Sequence, residues 1–254
     1  MEKSTKNRLT ERELILFSGN TLFEKIARSV CRAGTLPRKE LYEAWEVARR
    51  VRRKYRGGRV VDLACGHGLL GHIMLLLDDS SPEAVAVDHN ISKNAYRLSD
   101  SITETWPRIK RRIHYIEAPI RQIRIFPGDL VISIHACGLL TDTVIDMAVG
   151  VGARVAVLPC CHDIAPSDTG GLEGWIKGPL AVDVTRAGRL RSEGYTVITR
   201  MIPEDITPQN RLLMGHCGDQ GQRANRQVGR KGLRGRMGAE LNPNEEIYYE
   251  SSSL

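Results

Sequence analysis

The sequence is poor in aromatic residues and contains no long apolar stretch. Phe, Trp and Tyr make up 5% of its 254 residues, so Val, Leu and Ile must supply most of the core. No segment approaches the ~20 consecutive apolar residues that a membrane-spanning helix needs. The polar residues 1–13 also lack the apolar segment of a signal peptide. With 41% hydrophobic residues the chain can bury a core, which excludes global disorder, and we expect a cytoplasmic protein without a membrane segment.

The six cysteines lack the spacing of a disulfide-rich or zinc-binding domain. Two are adjacent and no Cys-x-x-Cys pair occurs, so reduced thiols are expected. A structural zinc ion is the alternative if His135, His162 and the cysteines near them converge, but adjacent cysteines rarely ligate one tetrahedral ion, and we predict no metal site. The roles of the neighbouring cysteines stay open, including a nucleophilic Cys161: Cys137, Cys160 and Cys161.

Positive charge is in excess and is clustered. The chain has 37 Lys and Arg against 30 Asp and Glu, a formal net charge of +7. Clusters lie at residues 49–56, at 108–112 with Arg121 and Arg124 beyond it, and at 223–236. Guanidinium groups pair with phosphates and displace counterions. The clusters therefore favour RNA as a partner, the alternative being that they are solvated helix faces.

The pattern of apolar residues divides the chain into three parts. Residues 1–56 are predicted to form an N-terminal helical cap, with a frayed start over 1–11 and helical stretches interrupted near residue 34. Residues 57–217 alternate short apolar runs with helical stretches, which predicts an α/β domain with a doubly wound, mostly parallel sheet. Residues 218–254 are rich in Gly, Arg, Gln and Asn, and we predict a basic, largely disordered tail.

Seven strands are expected in the central part. Five parallel strands are predicted at 59–63, 84–87, 113–116, 130–134 and 154–158, with helices at 69–77, 92–101 and 142–149 between them. A helix over 180–192 precedes two further strands at 195–202 and 211–215. Because only residues 203–210 separate these last two strands, we expect an antiparallel hairpin at the end of the sheet.

A glycine-rich turn follows the first predicted strand, in the segment VVDLACGHGLLG at residues 60–71. Gly66 and Gly68 let the backbone approach a ligand, and the following helix offers unpaired N–H groups. With Gly71 they match the dinucleotide pattern G-x-G-x-x-G, and Asp88 fits its ribose-binding acid. Asp62 argues against a nicotinamide cofactor, because its carboxylate would repel a pyrophosphate. A positively charged cofactor would instead favour an acid there.

This arrangement resembles the Rossmann-fold methyltransferases that use S-adenosylmethionine. The resemblance implies that Asp62 holds the positively charged methionine end, directly or through water, and that Asp88 holds the ribose hydroxyls. Ala64 stands where the first glycine of the turn often lies, and we expect its backbone to keep a negative φ. The cofactor-binding residues implied are Asp62, Ala64, Cys65, Gly66, Gly68, Asp88, His89 and Asn90.

Two more motifs end the predicted fourth and fifth strands, HACG at 135–138 and PCCH at 159–162. Ligands of doubly wound sheets bind at the carboxyl ends of the strands, so both motifs are expected at the ligand-facing edge. Together with Thr141 and Asp142, they resemble a methyltransferase-like group that includes the eukaryotic tRNA ribose 2′-O-methyltransferase. The likeness covers roughly residues 41–215, and it implies RNA as the substrate, with a ribose 2′-hydroxyl as one acceptor.

Ribose methylation needs a group that orients the hydroxyl and accepts its proton. His135, Asp142 and His162 are the candidates for this catalytic role. The alternatives are that His135 caps a strand and that Asp142 is a helix N-cap. For the whole chain, methylation of a small molecule or a protein remains open, as does an inactive RNA-binding protein of the same fold. A nicotinamide oxidoreductase is the most distant alternative, and the sequence predicts no oligomeric state.

Overall fold

The chain is represented by a computed structural model that describes residues 3–159 and 161–218. Its strands form one seven-stranded sheet in the order β3-β2-β1-β4-β5-β7-β6. Only β7 runs antiparallel to its neighbours β5 and β6, and the other pairs are parallel. The predicted α/β fold and the terminal hairpin are therefore confirmed. The strands are β1 (Val60–Leu63), β2 (Ala84–Asp88), β3 (Ile113–Glu117), β4 (Leu130–Ser133), β5 (Arg154–Val157), β6 (Tyr195–Met201) and β7 (Arg211–Cys217).

Six α-helices flank the sheet in the described part of the chain. Thr21 and Glu24 form a capping box at the start of α1, and the Ser92 hydroxyl accepts from the N–H of Ala95 at the start of α4. None of the helices in the described ranges is long and apolar enough to span a bilayer. The helices are α1 (Leu22–Ala33), α2 (Arg38–Lys54), α3 (Leu69–Leu77), α4 (Lys93–Thr105), α5 (Leu139–Val149) and α6 (Gly178–Ser192).

The core consists of two layers, one on each face of the sheet. Helix α1 packs on α4 and α2 packs on α3, while α5 and α6 contact the opposite side. The apolar residues of α1 and α2, in the region predicted as a cap, belong to the same buried cluster as α3 and one face of the sheet. The N-terminal helices are thus continuous with the core that supports the sheet. The predicted tail, apart from Gly218, lies outside the described residues.

Residues 3–11 are more ordered than their sequence predicts. The polar pattern of residues 1–11 predicts a frayed segment, but Leu9 is buried and its N–H donates to the carbonyl of Leu36 at 2.9 Å. Arg8 forms an isolated antiparallel bridge with Pro37. A single buried side chain carries no periodicity, so sequence patterns miss this segment. It lies beside the start of α2.

One basic residue assigned to a surface cluster lies inside the protein. The guanidinium of Arg52 is 2% exposed and pairs with Asp78 at 3.0 Å. Its Nη2 also donates to the Ser81 hydroxyl at 2.8 Å, and its Nε donates to the Met74 carbonyl at 3.1 Å. Burial lowers the pKa of Arg52 to about 10, which leaves it charged at neutral pH. The prediction that Arg52 contacts RNA phosphates is wrong, because the residue neutralises a buried acid.

The first two basic clusters also lie at one edge of the sheet. Residues 49–56 precede β1 and residues 108–112 precede β3, so both clusters are at the amino ends of the parallel strands. Arg108 and Arg112 contact the carboxylate of Asp79 in the loop before β2. Ligands bind at the opposite, carboxyl edge of such sheets. These clusters are therefore far from the expected ligand site along the strand direction.

Candidate active site

The candidate site lies where the order of the strands reverses. Strands β2 and β4 flank β1 on its two sides. After β1 the chain continues on one side with β2 and β3, and then crosses to the other side of β1 to form β4. At such a point the connections on the two sides diverge and leave a crevice beyond the carboxyl ends of the strands. The turn at 64–68 follows β1 at this place, Asp88 ends β2, and His135 follows β4.

Two glycines shape the turn after β1. Gly66 has φ 57° and Gly68 has φ 74°, values that side chains rarely adopt. A Cβ on Gly68 would also lie 2.8 Å from the hydroxyl of Tyr115, which donates to the carbonyl of His67 at 2.9 Å. Tyr115 on β3 thus supports the turn through this hydrogen bond. Glycine is required at position 68 both for the positive φ and because a side chain there would clash with the Tyr115 ring.

Ala64 departs from the expected conformation. The sequence predicts a negative φ, but Ala64 has φ 54° and is the one non-glycine residue in the described ranges with a positive φ. The left-handed region brings Cβ close to the backbone and costs an L-residue roughly 1–2 kcal/mol. The turn therefore holds a strained residue at the position where the resemblance has glycine, and strain of this kind concentrates at functional sites.

Replacing Ala64 by glycine is expected to raise the free energy of unfolding by about 1 kcal/mol, because glycine adopts this φ without strain. Urea denaturation measures the change. The matched control is Ala136→Gly, since Ala136 is also buried but has no positive φ and should lose stability. A loss of stability in both variants would show that the Ala64 conformation carries no strain.

Asp62 has an unpartnered oxygen beneath the turn. The residue is 1% exposed, and its Oδ2 accepts from the N–H of Gly71 at 3.1 Å. Its Oδ1 has no hydrogen-bond partner in the described chain. Burial raises the pKa of Asp62 well above its usual value, and the nearby charge of Asp88 adds to this effect. A buried carboxylate with an open oxygen accepts a cationic group or a bridging water.

Asp88, at the end of β2, is hydrogen-bonded to the turn that follows β1. Its Oδ2 accepts from the N–H of Gly66 at 2.9 Å, and its Oδ1 lies 2.7 Å from Nδ1 of His89. The His89 side chain is 85% exposed and Asn90 is also exposed, so both remain accessible at the mouth of the crevice. The structure thus joins Asp88 to the turn and places His89 and Asn90 directly after it in the chain.

His135 faces the same turn from the end of β4. Its Cδ2 lies 3.5 Å from the position that a Cβ on Gly66 would occupy. Burial lowers the pKa of His135 to about 4, and the electrostatic interactions with His67 and with the charge of Lys39 act in the same direction. The imidazole is therefore neutral at physiological pH and has a ring nitrogen able to accept a hydrogen bond.

Asp142 and His162 belong to a second group of charges, organised around Arg186. This guanidinium is 2% exposed and makes two hydrogen bonds to the Asp142 carboxylate, at 2.7 and 3.1 Å. His162 Nε2 lies 2.8 Å from Asp183, which also contacts Arg186. Helix α5 begins at Leu139, so Asp142 lies within its first turn and the N-cap interpretation is wrong. The carboxylate of Asp142 is engaged by Arg186 instead.

The cysteines do not build a metal centre in the described ranges. No group of three His, Cys, Asp or Glu residues suited to a metal occurs there. Cys65 is buried below the turn, and burial raises the pKa of its thiol. Cys137 and Cys161 are exposed and close in the fold, because the N–H of Gly138 donates to the Cys161 carbonyl at 3.2 Å. Cys160 lies outside the described residues.

Comparison with protein families identifies the domain. A family described as "Methyltransferase domain" matches residues 39–165, which include the turn after β1, Asp88 and His135. The match covers half of the 254 residues. The chain belongs to this methyltransferase family. Its methyl donor is S-adenosylmethionine. Among curated proteins, no sequence matches significantly.

Solved structures with a similar fold include several methyltransferases. An O-methyltransferase family protein from Burkholderia thailandensis is 18% identical, with 83% of this chain and 63% of that chain covered and a TM-score of 0.47. The magnesium protoporphyrin IX methyltransferase of Synechocystis, solved with bound SAH, is 16% identical over 82% and 93%, with a TM-score of 0.45. The M1A22 tRNA methyltransferase of B. subtilis is 14% identical over 68% and 66%, with a TM-score of 0.45. The methyltransferase chain spans less than two thirds of the Burkholderia protein, and these similarities assign no acceptor.

The site residues fit the charge of S-adenosylmethionine. The open Oδ1 of Asp62 suits a cationic group, and the positive-φ glycines leave space along the turn. Asp88 would hold the ribose hydroxyls, since it ends the strand next to the turn. When bound, this cofactor supplies an electrophilic methyl group on a sulfonium ion. A pyrophosphate would meet two carboxylates in the same crevice, which disfavours a nicotinamide cofactor.

Removing the Asp88 carboxylate is expected to weaken binding of S-adenosylhomocysteine by about 1–3 kcal/mol, because the ribose hydroxyls lose a charged acceptor in a part-buried site. Calorimetry on Asp88→Ala measures this loss. The control is Asp146→Ala, which removes an exposed carboxylate on α5. Equal affinity in wild type and Asp88→Ala, or tight binding of NAD without any response to the adenosyl ligand, contradicts the assignment.

Several residues that support the site carry no recognisable sequence signal. Tyr115 lies in an ordinary strand, yet its ring braces Gly68. The fully buried His72 contacts the Gly68 carbonyl at 2.7 Å and the Ser99 hydroxyl at 3.1 Å. Burial lowers the pKa of His72 to about 4, which keeps it neutral. Arg186 looks like one of several surface arginines of α6, and only its contacts reveal its role.

Proposed function

We propose that this methyltransferase transfers the methyl group of S-adenosylmethionine to RNA, with a ribose 2′-hydroxyl as the favoured acceptor. The observation that carries the proposal is a neutral, half-buried His135 beside the turn that receives the cofactor. A hydroxyl oxygen is a weak nucleophile, and a positioned acceptor for its proton assists its attack. His135 occupies the place from which a group can reach both cofactor and acceptor.

His135 is assigned the contact with the acceptor. The acceptor O–H donates to the neutral imidazole, which orients an oxygen lone pair toward the methyl group. As the methyl group is transferred to the oxygen, His135 would accept the hydroxyl proton and pass it to water. Bound S-adenosylmethionine would supply the methyl group and keep the electron pair of the broken C–S bond as a neutral thioether. The depressed pKa of His135, about 4, keeps the imidazole neutral, so that its ring nitrogen can accept a hydrogen bond from the hydroxyl. Asp142 and His162, held around Arg186, are assigned to positioning the loops beside His135.

Positive charge near His135 supports a polyanionic acceptor. The exposed Arg8 is close enough to His67 for its charge to lower the pKa of that imidazole, after the larger effect of burial. Lys39 has the same effect on His135. Both cations belong to the N-terminal segment and the start of α2, at the carboxyl edge of the sheet. Phosphates flanking an acceptor ribose would meet these charges.

Exposed apolar side chains at the same edge support contact with bases. They follow β4 and β5, whose carboxyl ends face the crevice. Unstacked bases of single-stranded RNA pack on such side chains, aromatic ones above all. Trp175 is 87% exposed, so its ring is available for stacking. The group comprises Leu139, Leu140, Ile164 and Trp175.

The decisive experiment is incubation of the full chain with S-adenosylmethionine labelled in the methyl group and with total RNA, protein and small-molecule fractions. We expect label in RNA, and nuclease digestion to 2′-O-methylated nucleosides identifies the acceptor. Label in a base would keep RNA as the substrate but would make a base, and not the ribose, the methyl acceptor. Label only in protein or small molecules contradicts the RNA proposal, and binding of RNA and cofactor without transfer would indicate an inactive member of the fold.

The cations at the carboxyl edge are expected to matter more than those at the opposite edge. Removing Arg8 and Lys39 together should lower the affinity for RNA and reduce the slope of log K against log salt by about 0.7 for each phosphate that the variant no longer neutralises. The control is Arg53→Ala with Lys54→Ala, two exposed cations at the amino edge. Filter binding over a salt series measures both variants. An equal or larger loss of affinity in the control pair contradicts this placement of the RNA.

A small apolar acceptor is the second candidate, and one feature favours it. A groove of about 480 Å³ runs between α6 and the β6–β7 hairpin. Its apolar walls would bury a hydrophobic molecule. Substitution of Val184 by aspartate should then abolish methylation of the small-molecule fraction and leave methylation of RNA unchanged. The apolar lining residues are Leu180, Val184, Ala187, Met201, Leu212 and Leu213.

A further inference from the structure

A carboxyl group outside the turn faces the same site from helix α2. Glu40 lies in the first turn of α2 and is half-buried. It lines a small cavity together with Cys65 and His67 of the turn and with His135 at the end of β4. Its Oε2 lies 3.9 Å from Nδ1 of His67. No part of the sequence pattern singled out this residue.

The charged groups around Glu40 leave its carboxylate poorly compensated. On its own helix, Lys39 pairs with Glu43 at 3.3 Å. From the turn and from β4 it meets His67 and His135, and burial lowers the pKa of both imidazoles. Two neutral rings do not balance a negative charge. Burial, with the charge of Glu43, therefore raises the pKa of Glu40 to about 7.

The cavity lies on the β4 side of the turn, opposite the end of β2. Asp88 ends β2 on one side of β1, whereas His135 follows β4 on the other side. A ligand whose ribose is held by Asp88 and which crosses this crevice extends toward β4. For an adenosyl amino acid, the part that arrives there carries the α-ammonium group. A carboxylate is the natural partner of an ammonium ion in a half-buried site.

We propose that Glu40 binds the α-ammonium group of the cofactor directly, while Asp62 beneath the turn acts through a bridging water, and that Glu40 thereby makes cofactor loading depend on pH. This inference rests on the proposed function, in which S-adenosylmethionine is the methyl donor. Below neutral pH the carboxyl of Glu40 is protonated and must release its proton before it can pair with the ammonium. Above neutral pH it is ionised and ready to bind. Affinity therefore rises with pH through the range in which Glu40 titrates and then becomes constant.

The test is calorimetric titration of the full chain with S-adenosylhomocysteine at pH 6, 7 and 8, in buffers of different ionisation enthalpy. Because only the ionised fraction of Glu40 binds, affinity is expected to be about tenfold weaker at pH 6 than at pH 8. Binding should release close to one proton at pH 6 and almost none at pH 8. Neither quantity requires an acceptor substrate.

The matched variant is Glu40→Gln, which has the shape of the protonated side chain. It should bind S-adenosylhomocysteine more weakly than wild type at both pH values, with the same affinity at pH 6 and pH 8 and without proton release at either pH. The control is Glu83→Gln, a half-buried glutamate before β2 that contacts His114, at the other edge of the sheet. Thermal melting verifies that each variant is folded.

The outcomes separate this inference from the proposed function. If wild type binds the ligand with no dependence on pH, or if Glu40→Gln keeps the wild-type profile, Glu40 does not contact the ammonium and the use of the cofactor stands. If the ligand fails to bind the folded wild-type chain at every pH, both proposals fail.

A second readout is the ring signal of His67 in histidine-labelled protein, which should shift near pH 7 in wild type and not in Glu40→Gln.

Discussion

Replacing His135 by alanine is expected to slow methyl transfer by roughly 10²-fold or more, while the affinity for S-adenosylhomocysteine stays within twofold. Among the described residues, Asp88 and Tyr115 form hydrogen bonds that hold the turn together, whereas the imidazole of His135 lies beside the turn without forming one of them. Loss of His135 thus removes the acceptor of the hydroxyl proton and leaves the cofactor site intact. Single-turnover rates with labelled RNA, together with calorimetry, measure the two effects separately.

The control for this variant is His114→Ala, because His114 is exposed at the start of β3. Both variants should melt at nearly the wild-type temperature. An unchanged rate in a well-folded His135→Ala protein would show that His135 only caps the strand. A parallel loss of cofactor affinity and stability would assign it a structural role.

Substituting Arg52 by alanine is expected to lower the free energy of unfolding by about 3 kcal/mol, because buried Asp78 loses its close cationic partner and keeps only Arg56, at 3.9 Å, as a counter-charge. The two side chains are 2% and 7% exposed and lie 3.0 Å apart. The change also removes hydrogen bonds to Met74 and Ser81. Urea denaturation monitored by circular dichroism measures the difference.

The neighbours Arg53 and Lys54 provide the control, since both side chains are exposed. Their replacement by alanine should change the free energy of unfolding by less than about 0.5 kcal/mol. A stable Arg52→Ala protein with reduced affinity for RNA would overturn this account and restore the prediction made from the charge cluster.

The fold follows from features that are local in the sequence. Alternation of short apolar runs with helical stretches predicts five parallel strands, and the short connection over 203–210 predicts the terminal hairpin, both confirmed. The cofactor turn is equally local, because its glycines and Asp62 occupy nearby positions around one strand end. The position of Asp88 at the end of the second strand can be predicted from the length of one β-α-β unit.

Long-range contacts explain what the sequence does not predict. Arg52 resembles its exposed neighbours, and its partner Asp78 is separated from it by the whole of β1 and α3. Glu40 lies on a helix outside the turn and approaches His67 only when α2 packs against α3. The φ of Ala64 depends on how the turn is fixed between Asp88 and Tyr115. No spacing rule encodes such pairings.

The contacts of Arg186 also couple the two loops that follow β4 and β5 at the carboxyl edge of the sheet. This one side chain donates to the Gly138 carbonyl at 2.9 Å, binds Asp142 and contacts Asp183, which in turn holds His162 and Arg211. The loops after β4 and β5 are therefore tied to α6 and β7 by the same buried charge. Amide hydrogen exchange in these segments should follow one cooperative opening, since local unfolding proceeds in such units. An acceptor that presses on either loop would then shift the exchange rates of both.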